Sequence, residues 1–160
     1  MSESIVQNCI SKFDLRGKHI SIFLPIERFR EILTWKLLDE NATFYLPVVK
    51  KDRKLVHIRF DSKDQLKESE WGIPEPIYGE EFDPSVLDIV LVPLLAIDQG
   101  GHRVGYGAGF YDSFLSVCRK DCRFVGLSYY DPIERIEDRL ETDIPLHFCI
   151  TPGELIEFQN

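Results

Sequence analysis

The 160-residue sequence has no long apolar run, no excess of basic residues and no low-complexity tract. No segment approaches the about 18 consecutive apolar residues that indicate a membrane-spanning helix. The formal net charge of −8 argues against a general surface for nucleic acid or anionic membranes, because those partners bind basic excess. Any anionic ligand would therefore have to bind at a local basic patch.

Cysteines are few and are not spaced as metal ligands. The four are Cys9, Cys118, Cys122 and Cys149. Cys118 and Cys122 are one helical turn apart, but no second pair of cysteines or histidines accompanies them. We therefore predict reduced structural thiols.

The N-terminal residues 1–15 lack both a basic region and a long apolar stretch, so they do not form a secretory signal peptide. The length and the ordinary globular composition predict one domain over residues 1–160, without an internal repeat or a linker. We expect a soluble, cytoplasmic and monomeric protein.

In the first half of the chain, hydrophobic periodicity predicts a helix over 3–15 with Ile5, Cys9, Ile10 and Phe13 on one side. Alternation and β-branched residues predict strands over 18–24, 43–49 and 55–60. A helix is predicted within 27–40, or else a shorter one in which Thr34 is the N-cap and Leu37 and Leu38 point inward. Residues 61–70 are predicted to be a helix-like surface segment, and 71–76 an extended one.

In the second half, the apolar residues 88–97 predict a buried strand. A helix is predicted from Phe110 to Lys120, with Phe110, Phe114, Val117 and Cys118 at helical spacing. A further strand is predicted over 123–130. A helix is predicted to begin at Asp131-Pro132, with Ile133, Ile136 and Leu140 inward, and the chain ends with a β-type tail over 143–158. This alternation predicts an α/β fold with a largely parallel sheet.

A glycine-rich stretch, Arg103-Val104-Gly105-Tyr106-Gly107-Ala108-Gly109-Phe110-Tyr111-Asp112, links the predicted strand over 88–97 to the helix that follows. Its three glycines let a ligand approach the main chain closely. Free backbone amides and the N-terminus of the helix would suit a phosphate group, and Arg103 adds a guanidinium. Asp112 would repel phosphate unless Mg²⁺ bridged the two. The stretch therefore predicts a Mg-nucleotide loop.

Other kinds of glycine loop compete with this interpretation. The dinucleotide-binding fingerprint requires glycine at the position of Phe110, and a Walker P-loop requires GxxxxGK[ST], which is absent. A purely structural loop remains open. Asp112 could merely cap its helix, Asp143 could be a turn residue before Pro145, and Glu31 could lie on a solvated helix face.

Several segments in order resemble the 5-formyltetrahydrofolate cyclo-ligase family. They are DIVLVPLLAID with HRVGYGAGFYDSFL, together with ISIFLP, Glu31-Ile32-Leu33-Thr34, WGIPEP and Asp143-Ile144-Pro145-Leu146. Together they cover roughly residues 18–158. The resemblance implies a three-layer α/β/α sandwich with a mainly parallel sheet, of the NagB/RpiA/CoA-transferase-like type.

The resemblance also implies a reaction: Mg-ATP drives closure of 5-formyltetrahydrofolate to 5,10-methenyltetrahydrofolate, with release of ADP and phosphate. It implies that ATP is held by Arg103, Val104, Gly105, Tyr106, Gly107, Ala108, Gly109, Phe110 and Tyr111. Folate would contact Leu24, Glu31, Tyr106, Gly107, Ala108, Gly109 and Phe110. Asp112 and Asp143 would hold Mg²⁺, and Arg103 and Glu31 would be the catalytic residues.

The sequence departs from the family pattern at its start. Only about 17 residues precede the first predicted strand, and Lys12 and Arg16 lie too close to it to match the basic helix that reaches ATP in family members. Either the start is assigned late, or this member has lost part of its ATP contacts. Ala108 also stands where many members carry lysine.

Two other functions therefore remain open. One is a folate- or nucleotide-binding protein with little or no turnover. The other is an enzyme resembling sugar-phosphate isomerases, which would not need Mg-ATP. Tyr129 and Tyr130 close a predicted strand at the edge where α/β proteins bind ligands, and they either line the site or pack in the core.

Overall fold

A computed structural model describes residues 1–26, 30–52, 54–69, 72–107 and 109–159. The helices are α1 (Ser2–Lys12) and α2 (Phe110–Leu115), with 3₁₀ helices at Thr34–Asp39, Lys63–Gln65 and Pro84–Val86. The strands are β1 (His19–Ser21), β2 (Thr43–Val49), β3 (Leu55–Arg59), β4 (Leu66–Glu68), β5 (Pro74–Pro76), β6 (Ile89–Val92), β7 (Ala96–Ile97), β8 (Arg103–Val104), β9 (Arg123–Leu127), β10 (Phe148–Ile150) and β11 (Leu155–Glu157).

Seven of these strands form one twisted sheet in the order β11-β10-β9-β6-β1-β2-β3. The five inner strands pair in parallel, and only the edge strands β3 and β11 run antiparallel to their neighbours. The residues of β6, Ile-Val-Leu-Val, are all buried, as expected for a central strand covered on both faces. The predicted α/β class with a mainly parallel sheet is confirmed.

The two faces of the sheet pack two separate hydrophobic clusters. Because neighbouring residues of a strand point to opposite faces, Ile89 and Leu91 of β6 join one cluster and Val90 and Val92 the other. Helix α1 covers the first face with Ile5, Val6 and Cys9, and Ile10 packs against the same cluster. The helix ends at Lys12 rather than at 15, so Phe13 joins the cluster from just beyond it; the predicted apolar side is otherwise confirmed. Helix α2 covers the second face with Phe114 and Leu115.

The chain between β6 and α2 is a hairpin rather than a continued strand. The predicted strand over 88–97 ends at Val92, and β7 then pairs antiparallel with β8. Asp98 lies at the turn, where its Oδ1 accepts hydrogen bonds from the amides of Gly100 and His102. The glycine loop therefore begins at the end of a short hairpin, and not directly at the end of a central strand.

The helix predicted within 27–40 is wrong over residues 30–33, which are not helical; residues 27–29 lie outside the described residues. The shorter alternative is closer, because a 3₁₀ helix spans Thr34–Asp39 with Leu37 buried and Leu38 packed against the core. Thr34 is its first residue and not its N-cap. Its hydroxyl instead donates to the Phe23 carbonyl at 2.5 Å, which ties the segment to the end of β1.

The helix predicted from Asp131 is also wrong, because main-chain amides and a carbonyl of this segment form hydrogen bonds with residues 97–99 rather than within a helix. The Ile133 amide donates to the Ile97 carbonyl, and the Ile133 carbonyl accepts from the Gln99 amide. The Ile136 amide donates to Asp98 Oδ2 at 3.0 Å. Ile133 and Leu140, expected on an inner face, are exposed.

Two further helix predictions were too long. The helix expected from Phe110 to Lys120 ends at Leu115 and continues as tighter turns, so that Val117 is exposed. The helix-like segment predicted over 61–70 is a 3₁₀ turn at Lys63–Gln65 followed by β4. Neither α-helix in the described part of the chain has the length and apolar composition needed to cross a bilayer.

Candidate functional site

The loops that follow β1, β6 and β9 leave the sheet at the same edge, because these strands are parallel. Ligands of open α/β sheets bind at this edge, beyond the carboxyl ends of the strands. Glu31 follows β1, the glycine loop follows β6, and Tyr129 follows β9. The predicted site residues are therefore gathered by the topology of the sheet.

Arg103 and Asp112 form a sheltered ion pair. Arg103 Nη2 lies 2.8 Å from Asp112 Oδ1, and the side chains are only 6 % and 25 % exposed. Arg103 Nη1 donates to the Ile144 carbonyl at 2.7 Å, and the Ile144 amide donates to Asp112 Oδ1 at 3.0 Å. Arg103, Asp112 and Ile144 thus contact one another in a closed ring of hydrogen bonds, called here the Arg103–Asp112 corner, which joins β8, α2 and the segment after β9.

Asp143 is brought to this corner because it directly precedes Ile144. Its Oδ2 accepts a hydrogen bond from the Leu140 amide at 2.9 Å, and the residue is half-buried. No three His, Cys, Asp or Glu side chains gather into a metal cluster among the described residues. Proteins bind Mg²⁺ through one or two carboxylates while phosphate and water oxygens complete the shell, so the donor types of Asp112 and Asp143 suit this ion and their role as its ligands stays a prediction.

The glycine loop presents an open main chain. A Cβ added at Gly105, Gly107 or Gly109 would meet no atom within 4 Å. Gly107 and Gly109 have φ values of +82° and +68°, which favour glycine over other residues. Gly109 is the N-cap of α2, but a helix of six residues has only a weak dipole. The amides of the loop would therefore contribute more to binding an anion than the N-terminus of the helix. Ala108 lies outside the described residues.

Glu31 takes part in three hydrogen bonds, two through its carboxylate and one through its main-chain carbonyl. Its Oε2 accepts from the Ile26 amide at 2.7 Å, and its Oε1 accepts from the Tyr106 hydroxyl at 2.6 Å. The Tyr129 hydroxyl donates to the Glu31 carbonyl at 3.2 Å. The preceding residue, Arg30, has a φ of +52°, which is uncommon outside glycine. The structure thus brings Glu31 to the glycine loop rather than leaving it on a solvated helix face.

Two tyrosines of the glycine loop remain protonated donors. Burial raises the pKa of Tyr106, and the hydrogen bond to the Glu31 carboxylate raises that pKa further. Burial also raises the pKa of Tyr111, and the negative charge of Glu31 adds to the effect. At neutral pH the Tyr106 hydroxyl therefore keeps the proton that it donates to Glu31, and the Tyr111 hydroxyl also keeps its proton.

The remaining predicted contacts differ in their access to a ligand. Leu24 is buried in the first hydrophobic cluster, so only its main chain can reach a ligand without rearrangement. Val104 is exposed, and Phe110 is half-buried at the start of α2.

The sequence model of the 5-formyltetrahydrofolate cyclo-ligase family matches residues 2–133. The chain belongs to this family. Among its cyclo-ligase relatives, the 5-formyltetrahydrofolate cyclo-ligase of Haemophilus influenzae is 31 % identical over 137 residues, which are 79 % of this chain and 72 % of the relative. The cyclo-ligase of Escherichia coli K12 is 30 % identical over 157 residues, 87 % of this chain and 80 % of the relative.

A solved structure agrees with the cyclo-ligase assignment. The 5,10-methenyltetrahydrofolate synthetase of Aquifex aeolicus has a TM-score of 0.82 and 28 % identity, covering 99 % of this chain and 81 % of that one. The family and its relatives support an enzyme of the ligase class that acts on a small-molecule folate. The family resemblance and the fold class predicted from the sequence are confirmed.

Sequence reasoning left two contributors to this cyclo-ligase site undecided or unrecognised. Tyr129 was left open between lining the site and packing in the core, although its place after β9 pointed to the site. The sequence indicated that Asp98 turns the chain out of the strand over 88–97, but not that its carboxylate also accepts a hydrogen bond from the distant Ile136 amide. Burial would raise the pKa of Asp98, but the amides of Ile136, His102 and Gly100 outweigh burial and hold that pKa below its usual value. A charged Asp98 therefore stabilises the turn that precedes Arg103.

Proposed function

We propose that the chain uses Mg-ATP to convert 5-formyltetrahydrofolate into 5,10-methenyltetrahydrofolate. The formyl oxygen takes the γ-phosphoryl group of ATP, and ADP leaves. Nitrogen 10 of the folate then attacks the activated formyl carbon and gives up its proton. The carbon–oxygen bond breaks last, so the former formyl oxygen departs with the phosphate. No protein nucleophile is needed, which agrees with the residue types of the site.

The observation that carries this proposal is the 2.6 Å contact between Tyr106 and Glu31. It joins the glycine loop, the proposed ATP side, to the segment after β1, the proposed folate side. A reaction between two bound substrates requires their sites to meet, because the formyl oxygen must lie within reach of the γ-phosphate. The contact supports two adjoining sites.

On the ATP side, we propose that the main chain from Val104 to Tyr111 lies against the phosphates. The open surface at Gly105, Gly107 and Gly109 supports this role, because a phosphate can approach the amides without meeting a side chain. The carboxylates of Asp112 and Asp143 would hold Mg²⁺. When bound, Mg²⁺ neutralises phosphate charge and strengthens the γ-phosphorus as an electrophile.

We propose that Arg103 acts on this side through Asp112. Its guanidinium is almost fully buried and already bonds the Asp112 carboxylate and the Ile144 carbonyl. A paired guanidinium in a fixed fork keeps a carboxylate in one orientation. Arg103 therefore serves as a positioning residue, and its direct contact with ATP stays a prediction.

On the folate side, we propose that the Glu31 carboxylate accepts hydrogen bonds from N–H groups at the pterin end of the substrate, the end that carries the formyl group. The Leu24 main chain and the loop residues Tyr106, Gly107, Ala108, Gly109 and Phe110 would form the rest of the contact. Glu31 suits this role because it lies at the carboxyl edge of the sheet and its side chain is already oriented by Ile26.

The test is a turnover assay with purified protein, 5-formyltetrahydrofolate, ATP and Mg²⁺, followed by the near-ultraviolet absorbance of the methenyl product. We expect product only when both ATP and Mg²⁺ are present, with one ADP formed per product. Omission of ATP and addition of a chelator are the controls.

Calorimetry with 5-formyltetrahydrofolate separates the competing functions. Folate binding without product at high protein concentration would contradict the enzyme proposal and favour a binding protein. Product formation without ATP would contradict the phosphorylation step.

A further inference from the structure

We infer that Tyr129 is a positioning residue that holds Glu31 in place for folate binding. The inference rests on the proposed function, because it assigns the folate contact to Glu31. It concerns a tyrosine on a different strand, 98 residues away in the sequence.

Tyr129 is anchored where it can act on Glu31. It lies two residues after Leu127, the last residue of β9, at the carboxyl end of the parallel strands, and its half-buried ring packs against the first hydrophobic cluster. From this fixed ring the hydroxyl donates to the Glu31 carbonyl at 3.2 Å. The next residue, Tyr130, is 74 % exposed and has no part in these contacts. The two neighbouring tyrosines therefore differ in their contact with Glu31.

The segment that carries Glu31 needs such an anchor. Residues 23–26 and 30–33 have no regular secondary structure, so no β-ladder or helix holds them in place. Arg30 has a positive φ, a conformation that a non-glycine residue keeps only when its surroundings impose it. Thr34 secures the far end of the segment on the Phe23 carbonyl, and Tyr129 secures Glu31 itself.

The main-chain anchor determines where the carboxylate points. With the Glu31 carbonyl held by Tyr129, the side chain reaches the Ile26 amide with Oε2 and the Tyr106 hydroxyl with Oε1. Supporting hydrogen bonds of this kind keep a binding group within the narrow range of positions that a ligand requires. Without the Tyr129 hydroxyl, the ring would still fill its place in the core, but the segment would lose this polar link.

The experiment compares Tyr129→Phe with Tyr130→Phe as a matched control. Each variant loses one hydroxyl, and the two positions are neighbours. For Tyr129→Phe we expect the KM for 5-formyltetrahydrofolate, and its Kd by calorimetry without ATP, to rise by about three- to tenfold, as the loss of one hydrogen bond predicts. The kcat, the KM for ATP and the Tm should change little. Tyr130→Phe should match the wild type in every measurement.

A double-mutant cycle tests whether Tyr129 acts through Glu31. In a Glu31→Ala background, the further change Tyr129→Phe should have almost no effect on folate affinity. The main-chain carbonyl that Tyr129 binds is still present there, but the carboxylate that this contact positions is gone. Additive losses, or a Tyr129→Phe variant with unchanged folate KM, would overturn the inference while leaving wild-type turnover intact. A wild-type protein that neither binds nor converts 5-formyltetrahydrofolate would overturn the proposed function and this inference with it.

Discussion

The hydroxyl of Tyr106 donates a 2.6 Å hydrogen bond to Oε1 of Glu31, across 75 residues of sequence. The contact closes the glycine loop against the segment after β1. Because the two partners come from the loops after β6 and β1, which are adjacent strands, the contact depends on the parallel pairing of those strands. It is the point where the proposed ATP and folate sides of this cyclo-ligase meet.

Tyr106→Phe should raise the KM values for both ATP and folate by several-fold, because it removes the link between the two sides. The ring remains, so the Tm should stay close to that of the wild type. Steady-state kinetics with each substrate varied in turn provide the measurement. Tyr78→Phe, at an exposed tyrosine in another loop, is the control. A change confined to one substrate would contradict the linking role.

Asp112→Asn should reduce Mg-dependent turnover by about 100-fold or more, because a neutral amide replaces a carboxylate that we propose as a Mg²⁺ ligand. Folding should persist, since the amide oxygen can still accept a hydrogen bond from the Ile144 amide.

Arg103→Gln should raise the Mg²⁺ concentration for half-maximal activity by about 10–100-fold, the usual cost of losing a residue that orients a metal ligand. Titration of activity with Mg²⁺ measures both effects.

Asp121→Asn provides the matched control for these two variants. Asp121 is exposed and pairs with Arg119, away from the Arg103–Asp112 corner. Full activity of Asp112→Asn, or an Arg103→Gln variant that changes the ATP requirement and not the Mg²⁺ requirement, would refute the proposed division of roles.

Gly105→Ala should leave the Tm nearly unchanged and raise the KM for ATP several-fold. The added Cβ would meet no protein atom within 4 Å, so the free protein has room for it. The same methyl group would project into the open surface where we propose that the phosphates lie. Gly153→Ala, another position without a close neighbour, should change neither quantity. Unchanged ATP kinetics in Gly105→Ala would place the nucleotide elsewhere.

Gly101→Ala should lower the free energy of unfolding by about 2–4 kcal/mol. Gly101 has a φ of +78°, and an added Cβ would lie 2.5 Å from the Leu146 carbonyl oxygen. The Gly101 carbonyl also accepts from the Leu146 amide, so the substitution disturbs the link between the hairpin and the segment of Asp143. Urea denaturation measures the loss, with Gly153→Ala as the reference. A Gly101→Ala protein of wild-type stability would contradict this steric account.

His57 should make the protein less stable in mild acid. Burial lowers the pKa of His57 from 6.5 to about 3, because the charged imidazolium would lose its water between Ser21 and Phe114. Below pH 6.5 the unfolded chain binds a proton that the folded chain does not, so this contribution to stability is complete above pH 6.5 and falls as the pH drops toward 3. The slope is at most about 1.4 kcal/mol per pH unit.

His57→Gln should remove that part of the pH dependence. Chemical denaturation at pH 7.5 and at pH 4.5 measures the free energy of unfolding of both proteins. We expect a smaller difference between the two pH values for the variant than for the wild type. Equal differences would show that His57 titrates normally in the folded protein.

The strands of the main sheet were largely predictable from local sequence, but the helices were predictable only in part: α1 and the start of α2 form where they were expected. Strand β2 matches its predicted range, and β6 lies within its range, because a buried strand is marked by a short apolar run. The helix predicted at Asp131 had a capping residue, a proline and apolar spacing, yet it does not form. The Ile136 amide donates to the Asp98 carboxylate and the Ile133 amide to the Ile97 carbonyl. Both acceptors lie more than 30 residues earlier in the chain. Local propensity cannot anticipate such a competitor.

The candidate site was predictable as a set of residues but not as an arrangement. The glycines, Asp112 and Asp143 could be selected from their types and spacing, because phosphate and Mg²⁺ require an open main chain and carboxylates. The burial of Arg103 against Asp112 could not be predicted in this way, since Arg103 was expected to add its guanidinium to the phosphate site. The role of Tyr129 depends on a contact over 98 residues, for which the sequence contains no local pattern.

The sequence by itself determined the α/β class, the glycine loop and the family, because apolar periodicity and the residues of a ligand loop are local properties of the chain. Only the tertiary structure decided which groups these residues meet. The parallel pairing of β1, β6 and β9 brings Glu31, Tyr106 and Tyr129 to one edge of the sheet. Hydrogen bonds that form only after this sheet assembles then orient Glu31 and enclose Arg103.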